Sequence, residues 1–207
     1  MMRRRAMMAQ AASTPPVTNL LYNWNFTQSL TDTIGGITAT MYSTATEWDE
    51  NGAYIEDEQR YLRLPGVYNV GRTYWATFTD FNTRKGGTAN KHGRIIMASD
   101  GANTSSNGCG FVYRSTGIIT FYTSGSWNTE TISSAGKYDY FANSTLKMYV
   151  DADGMASVYK NNELVISATK AIRSSRIGKD IVLGGSTNDC AAYMRVTAIQ
   201  IYNGFVI

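Results

Sequence analysis

Regularly spaced turn residues are the feature that most constrains this fold. From Val17 onward, short runs rich in Tyr, Thr, Val, Ile and Phe alternate with clusters of Gly, Asn, Asp and Ser. There are about fourteen such runs at intervals of about 8–14 residues, a spacing typical of strands in an all-β sandwich or jelly roll. No stretch keeps an apolar period of helical length, so long helices are not expected.

Three hairpin turns are visible in the sequence. Asp153-Gly154 and Asn161-Asn162 each separate two alternating strands, and Thr116-Gly117 separates two more. These residue types tolerate the positive φ angles of two-residue hairpin turns. We therefore expect neighbouring strands to pair in antiparallel meanders.

The positive charge is confined to the start of the chain. The 207 residues carry a formal net charge of +3, and residues 1–16 hold Arg3, Arg4 and Arg5 with no acid. The remaining 16 Lys and Arg balance 16 Asp and Glu. A neutral domain lacks the electrostatic footprint of a nucleic-acid-binding protein, so nucleic acid is not an expected partner. No apolar run is long enough to span a membrane.

The two cysteines, Cys109 and Cys190, lie far apart in the sequence. Their number and spacing are consistent with one disulfide or with two buried thiols, and the sequence leaves both open.

The order of segments over residues 17–207 resembles a laminin-G-like, concanavalin A-like jelly roll. The opening "LLYNWNFTQSLTDTIGG", the hairpin ending in "YLRLPG" and the long hairpin "LKMYVDADGMASVYKNNELV" carry this resemblance, together with the closing segments "IVLGGS" and "VTAIQIYNGFV". It implies an antiparallel two-sheet sandwich over residues 17–207, preceded by a non-globular arm, residues 1–16. The family includes lectins, glucanases, adhesion modules and virion parts, so the fold alone does not assign a function.

The acidic residues do not reproduce the catalytic strand of the glucanases that share this fold. Those enzymes place carboxylates on one strand face in the pattern E-x-D-x-E. Here Glu47 and Asp49 are followed by Asn51, which cannot exchange a proton, and an Asn-Gly pair indicates a turn. Glu56 and Glu58 form a second pair beside arginines, which is typical of an exposed strand end. We therefore expect no catalytic residues, with hydrolysis at Glu56 and Glu58 as the weaker alternative.

Metal binding is left open by the sequence, and no metal-ligating residue is assigned. Many members of the family bind calcium at one rim, and Asp151 and Asp153 in "DADG" have part of the pattern of a calcium loop. The later bidentate Glu of such a loop is missing, which favours a plain hairpin turn. Asp100 and Asp189 are further rim candidates. His92, the only histidine, lies in a polar stretch without a nucleophile or ligand partner at a suitable spacing.

Two polar segments have the chemistry of a glycan site, which combines an aromatic face with amide and hydroxyl groups. The loop over 99–110 is rich in such groups, and a second predicted loop, over 123–131, places a Trp among them. The candidate ligand-binding residues are Asn103, Asn107, Trp127 and Asn128. The other tryptophans, Trp24, Trp48 and Trp75, lie in apolar strands and are expected in the core or on a sheet face.

The arm is a poor export signal, because only four small or apolar residues, "AMMA", stand where a longer hydrophobic region is required. A lectin-like fold without such a signal is consistent with assembly in the host cytoplasm onto a virus particle. We therefore expect a non-catalytic virion surface protein, a phage capsid decoration, head-fibre or tail component. The arm would bind other virion subunits in a homo-oligomer or larger assembly, through Arg3, Arg4, Arg5, Met7, Met8, Pro15 and Pro16.

Two alternatives stay open. The first is a bacterial secreted or cell-surface carbohydrate-binding module, which would be extracellular rather than on a virion exterior. The second is a glycoside hydrolase of the same fold. In all three cases glycan is the small ligand considered, and no organic cofactor is expected.

Overall fold

The chain folds into two antiparallel β-sheets, as seen in a computed structural model. The structure describes residues 19–42, 48–55, 61–82, 92–99, 109–114, 118–123, 126–133, 139–172, 174–184 and 193–207. The predicted arm, residues 1–16, lies outside these ranges. In the described part the strands are β1 (Leu20–Asn25), β2 (Thr40–Tyr42), β3 (Trp48–Asp49), β4 (Gly52–Ile55), β5 (Tyr61–Leu64), β6 (Arg72–Asn82), β7 (His92–Ser99), β8 (Cys109–Arg114), β9 (Ile118–Thr123), β10 (Ser126–Ser133), β11 (Ser144–Val150), β12 (Ala156–Lys160), β13 (Glu163–Ser167), β14 (Asp180–Gly184) and β15 (Tyr193–Asn203).

The larger sheet has eight strands in the order β13-β12-β11-β6-β15-β4-β3, and β1 also pairs with β15. The smaller sheet has seven strands in the order β10-β9-β8-β7-β14-β5-β2. Every strand pair is antiparallel, and the only helical element in the described part is a 3₁₀ turn at Ser174–Arg176. The predicted all-β, two-sheet sandwich is therefore confirmed. Among the described residues, no helix has the length and hydropathy to cross a membrane.

An aromatic cluster joins the inner faces of the two sheets. Phe81 of the larger sheet and Phe111 of the smaller one both contact Phe141, with ring centroids 5.4 and 5.9 Å apart. Phe78 and Phe121 extend this cluster within their own sheets. All five rings are completely buried. Their burial removes a large apolar area from water and fixes how the sheets face each other.

The turn predictions had mixed outcomes. Asn161 and Asn162 adopt φ angles of 49° and 75° between β12 and β13, which confirms a two-residue turn. The Asp153-Gly154 connection is longer than predicted and spans 151–155, because Asp151 Oδ1 accepts hydrogen bonds from the backbone N–H groups of Asp153 and Met155. Thr116-Gly117 lies outside the described residues, although β8 and β9 pair as expected.

The tryptophans occupy three different environments. Trp24 is completely buried and its indole N–H donates to the Ile37 carbonyl, so its core placement is confirmed. Trp75 lies on the outer face of the larger sheet, as a sheet-face residue. Trp48 is 37% exposed on β3, the end strand of the larger sheet, and its indole N–H donates to the Phe26 carbonyl, so it lies at the sheet surface rather than in the core. The two-residue strand β3 pairs with β4 at the end of the described strand order.

We predict that Gly52→Ala destabilises the protein by about 2–5 kcal/mol. Gly52 has a φ of 115°, and a Cβ there would lie 2.6 Å from the Val196 carbonyl oxygen. Gly36→Ala is the matched control, because Gly36 also has a positive φ, 69°, but nothing lies within 4 Å of the added Cβ. Its cost is expected to stay near 1 kcal/mol. Urea unfolding of both variants checks this, and equal midpoints would contradict the steric explanation.

Candidate functional site

Two β-bulges interrupt the pairing between β6 and β15. Arg195 pairs with Asp80 and Val196 pairs with Phe78, so Thr79 is an extra residue on β6. Ala198 then pairs with Thr77, the residue next to Phe78, so Thr197 is an extra residue on β15. A bulge leaves its extra residue unpaired and turns its side chain away from the regular alternation. Both extra threonines consequently line the same surface depression.

This depression, which we call the bulge pocket, is a cavity of about 550 Å³. Its size lies within the range of about 300–1,000 Å³ typical of small-ligand sites. The lining side chains are polar and come from distant parts of the sequence: Thr27, Glu50, Asn51, Thr79, Arg195 and Thr197. The pocket opens on the outer face of the eight-stranded sheet, because Arg195 alternates with buried Met194 and Val196 along β15.

Arg195 is the best-fixed group in the bulge pocket. Its Nη1 donates to Asp49 Oδ1 at 2.9 Å, and its guanidinium lies 4.9 Å from the centroid of the Tyr54 ring. The β3–β4 hairpin positions Asp49, whose Oδ1 also accepts the backbone N–H of Asn51 at 2.7 Å. This backbone hydrogen bond, with the Arg195 charge, holds the pKa of Asp49 below the ordinary value of an aspartate. The Arg195 cation that lines the pocket is therefore oriented by an ionised carboxylate beside it.

The threonines supply hydroxyl groups at fixed positions. Thr197 Oγ1 donates to the Thr77 carbonyl at 3.3 Å, so its acceptor lone pairs are not used by this bond. Thr27 Oγ1 donates to Asn25 Oδ1 at 2.7 Å. Thr79 is exposed. Guanidinium and amide donors, carboxylate acceptors and hydroxyls thus meet in one cavity, and this set can bind a ligand with several hydroxyl groups.

The described residues that line this pocket include none of the glycan-site candidates from the sequence. Trp127 lies opposite Tyr122 on strand β10, not in a loop as expected, because Thr123 and Ser126 already pair and close the β9–β10 hairpin. Asn128 lies on the same strand, and the side chains of these two residues lie outside the described part of the structure. Asn103 and Asn107 also lie outside it, as do all the proposed anchor residues of the arm.

Among the described acidic candidates, Asp49 lies beside the pocket through its ion pair with Arg195, and Asn51 lines the pocket. Glu47, Glu56, Glu58, Asp100 and Asp189 lie outside the described residues, and His92 begins β7. The lining residues that sequence reasoning missed are Thr27, Glu50, Thr79, Arg195 and Thr197. No local signal marks them, because the bulges that gather them arise from pairing between distant strands.

Asp151 serves the β11–β12 turn. Its carboxylate accepts two backbone N–H groups, as a turn-stabilising aspartate does. Within the described ranges, no group of three or more His, Cys, Asp or Glu side chains is arranged to hold a metal ion. Cys109 is buried on β8, and Cys190 lies outside the described ranges, so the choice between disulfide and thiols stays open.

No protein-family model and no curated protein sequence matches this chain. Solved structures match it at low sequence identity. Domain 4 of AbnA, a GH43 extracellular arabinanase from Geobacillus stearothermophilus, in complex with arabinotriose, is 16% identical with a TM-score of 0.55, over 92% of this chain and 95% of that one. Trypanosoma rangeli sialidase is 14% identical with a TM-score of 0.64, over 93% of this chain and 32% of that one.

The botulinum neurotoxin serotype D binding domain is 12% identical with a TM-score of 0.61, over 92% of this chain and 50% of that one. This chain therefore spans about a third of the sialidase and half of the toxin domain. At these identities the likeness concerns the fold, a β-sandwich of the jelly-roll type.

We predict that Asp49 titrates below the ordinary aspartate range, and that Arg195→Gln raises its midpoint only in part, since the Asn51 backbone N–H remains. A depressed pKa adds stability above the unfolded-state value, near 4, and this contribution is lost as the pH falls through the folded-state value. The measurement is an NMR titration of the Asp49 carboxyl carbon. A midpoint at the ordinary value in the unmodified protein would contradict the Asp49 geometry.

Proposed function

We propose that this protein is a non-catalytic, lectin-like β-sandwich of the laminin-G-like, concanavalin A-like type that binds carbohydrate in the bulge pocket. The observation that carries the proposal is the meeting of Arg195, Asn51 and two bulge threonines in one cavity on a sheet face. Bulges often occur next to functional sites, where they redirect a side chain.

The donors and acceptors of the pocket suit a sugar ring. Adjacent sugar hydroxyls can donate to the Glu50 or Asp49 carboxylate and accept from the Arg195 guanidinium, each through a charge-assisted hydrogen bond. Asn51 offers both an amide donor and a carbonyl acceptor. Two carboxylates beside one guanidinium leave an excess of negative charge, which favours a neutral glycan over an acidic one.

Binding rather than hydrolysis is supported by the state of Asp49, the carboxylate hydrogen-bonded to Arg195 beside the pocket. A glycosidase needs one carboxyl group that is protonated near neutral pH to act as general acid. The pKa of Asp49 is lowered instead of raised, because Asn51 and Arg195 stabilise its ionised form. A glycan-related fold neighbour, the arabinanase domain in complex with arabinotriose, is consistent with a binding role for such a sandwich.

The setting proposed for this activity is the exterior of a phage particle, with residues 1–16 as the anchor. The support is compositional: the arm holds three arginines without an acid, and the remaining chain is neutral. The anchored protein would be a capsid decoration, head-fibre or tail component, whose pocket meets host glycans or neighbouring subunits. A bacterial secreted or cell-surface binding module is the alternative setting for the same site.

We predict that the full chain binds at least one neutral glycan on a broad glycan array, and that Arg195→Gln weakens this binding roughly 10–100-fold. The loss follows from removing hydrogen bonds to a charged group, each contributing about 1.5–3 kcal/mol. Isothermal titration calorimetry with the best array glycan measures the change in Kd.

Lys170→Gln is the matched control, because it removes one positive charge from an exposed loop position outside the pocket. Equal losses in the two variants would indicate a general charge effect. Absence of binding to every glycan on the array would overturn the proposal, and appearance of reducing ends during incubation would overturn its non-catalytic part.

We predict that deleting residues 1–16 leaves the thermal unfolding midpoint of the sandwich unchanged but abolishes co-sedimentation with phage particles from the source culture. The full-length chain is the control. Co-sedimentation of the truncated chain would contradict the anchoring role. If the full chain is instead recovered from the bacterial surface or medium and never with particles, the alternative setting holds.

A further inference from the structure

A second cluster lies on the same outer face of the eight-stranded sheet, beyond the bulge pocket. We call it the aromatic patch and define it as Trp75, Tyr149, Tyr159, Tyr202 and Phe205. Phe205 lies 5.0 Å from Tyr149 and 5.7 Å from Tyr159 between ring centroids, and Trp75 lies 4.7 Å from Tyr202. Phe205 is 50% exposed and the other four rings are partly exposed. Five aromatic side chains therefore share one solvent-facing surface.

Two sets of contacts hold the aromatic patch in place, one from Lys147 and one from the chain that follows β15. The Lys147 ammonium lies 3.8 Å from the Trp75 ring centroid and donates to Asn162 Oδ1 at 2.6 Å. After β15 the chain crosses the sheet, where Thr73 Oγ1 donates to the Gly204 carbonyl and accepts the Val206 N–H. These contacts fix Phe205 against the tyrosines. A preorganised ring surface loses little conformational entropy when a ligand stacks on it.

Polar groups border the rings on the side of β1. Tyr202 Oη donates to Gln200 Oε1 at 3.1 Å, and Gln200 Nε2 donates to Asn23 Oδ1 at 3.1 Å. Phenol and amide groups beside exposed aromatic rings suit a sugar-binding surface, in which a ring face contacts the sugar and polar groups bind its hydroxyls.

The strand register connects the patch to the bulge pocket. Arg195 and Tyr202 lie on the same face of β15, because the extra residue Thr197 shifts the alternation by one. They are about six regular strand steps, or ~20 Å, apart at ~3.3 Å per residue. Between them, the cross-strand row of Ala198, Thr77 and Thr145 carries only small side chains. The small side chains of this row leave space above the sheet between the bulge pocket and the aromatic patch. An extended ligand can lie in that space.

We propose that the aromatic patch is a second carbohydrate subsite, so that a linear oligosaccharide of several units lies across the sheet from the bulge pocket to the patch. The pocket binds hydroxyl groups of one unit, and the rings of Tyr149, Tyr159 and Phe205 stack on the faces of later units. This inference rests on the carbohydrate binding proposed above, and it names the ligand class as a chain rather than a single terminal sugar.

The experiment measures Kd by calorimetry for linear arabino-, xylo- and cello-oligosaccharides, from the disaccharide to the hexasaccharide, with the full-length protein. In at least one series we expect affinity to rise about tenfold with length. Phe205→Ala and Tyr159→Ala should each reduce this rise severalfold while disaccharide affinity is unchanged. Arg195→Gln should weaken all lengths, because it acts on the pocket.

Tyr122→Ala is the matched control, since Tyr122 is a partly exposed tyrosine on β9 of the other sheet. Phe205 follows the last strand, so its loss tests the patch even if Tyr159→Ala unfolds the protein, which circular dichroism would detect. Equal affinity for di- and hexasaccharides, with Arg195→Gln weakening both, overturns the second subsite and leaves the proposed function intact. No binding in any series, together with a blank glycan array, overturns both.

Discussion

The pairing of β6 with β15 is the constraint on which the rest of this structure depends. Both strands have eleven residues, and they lie side by side at the middle of the larger sheet. Their inward residues, such as Tyr74 and Ile201, belong to the core between the sheets. Since successive side chains point to opposite faces, the burial of one set fixes the other on the outer surface. The positions of Trp75, Gln200 and Tyr202 follow from the packing of the core.

The two bulges change the outer surface of this strand pair without changing its core face. A strand pair in strict register would present the same pleated surface along its whole length. The extra residues Thr79 and Thr197 break the register twice within a few positions, yet Phe78 and Phe81 both remain in the core. The outer face thereby acquires a cavity without a loss of buried aromatic area. The β3–β4 hairpin closes one side of the cavity through Asp49, so an edge element completes a site that begins at the centre of the sheet.

Features encoded by neighbouring residues were predictable from the sequence, and features made by distant pairing were not. The all-β class and the Asn161-Asn162 turn follow from local pattern and turn chemistry, and both are confirmed. The sequence predicted one shared environment for Trp24, Trp48 and Trp75. A strand pattern does not distinguish the inner face of a sheet from its outer face or its edge. The bulge pocket was missed for a related reason: Thr27 and Arg195 are ordinary residues until β1 and β15 pair. Trp127 was assigned to a loop because its polar neighbours resemble a turn, although β9 and β10 pair through that position.

The openness of the bulge pocket has an energetic consequence. The Asp49 side chain is 52% exposed, so water screens its interaction with Arg195, and an exposed pair of this kind contributes little to stability. Hydrogen bonds from a sugar to such groups replace hydrogen bonds to water, which limits the gain at each contact. One shallow pocket would therefore support weak, rapidly reversible binding.

Higher affinity has to come from additional contacts along the same ligand or from several copies that bind together. Linked copies raise avidity without any new contact. A sandwich anchored in many copies through an arm on one particle would meet that requirement, whereas an isolated domain would depend on the aromatic patch.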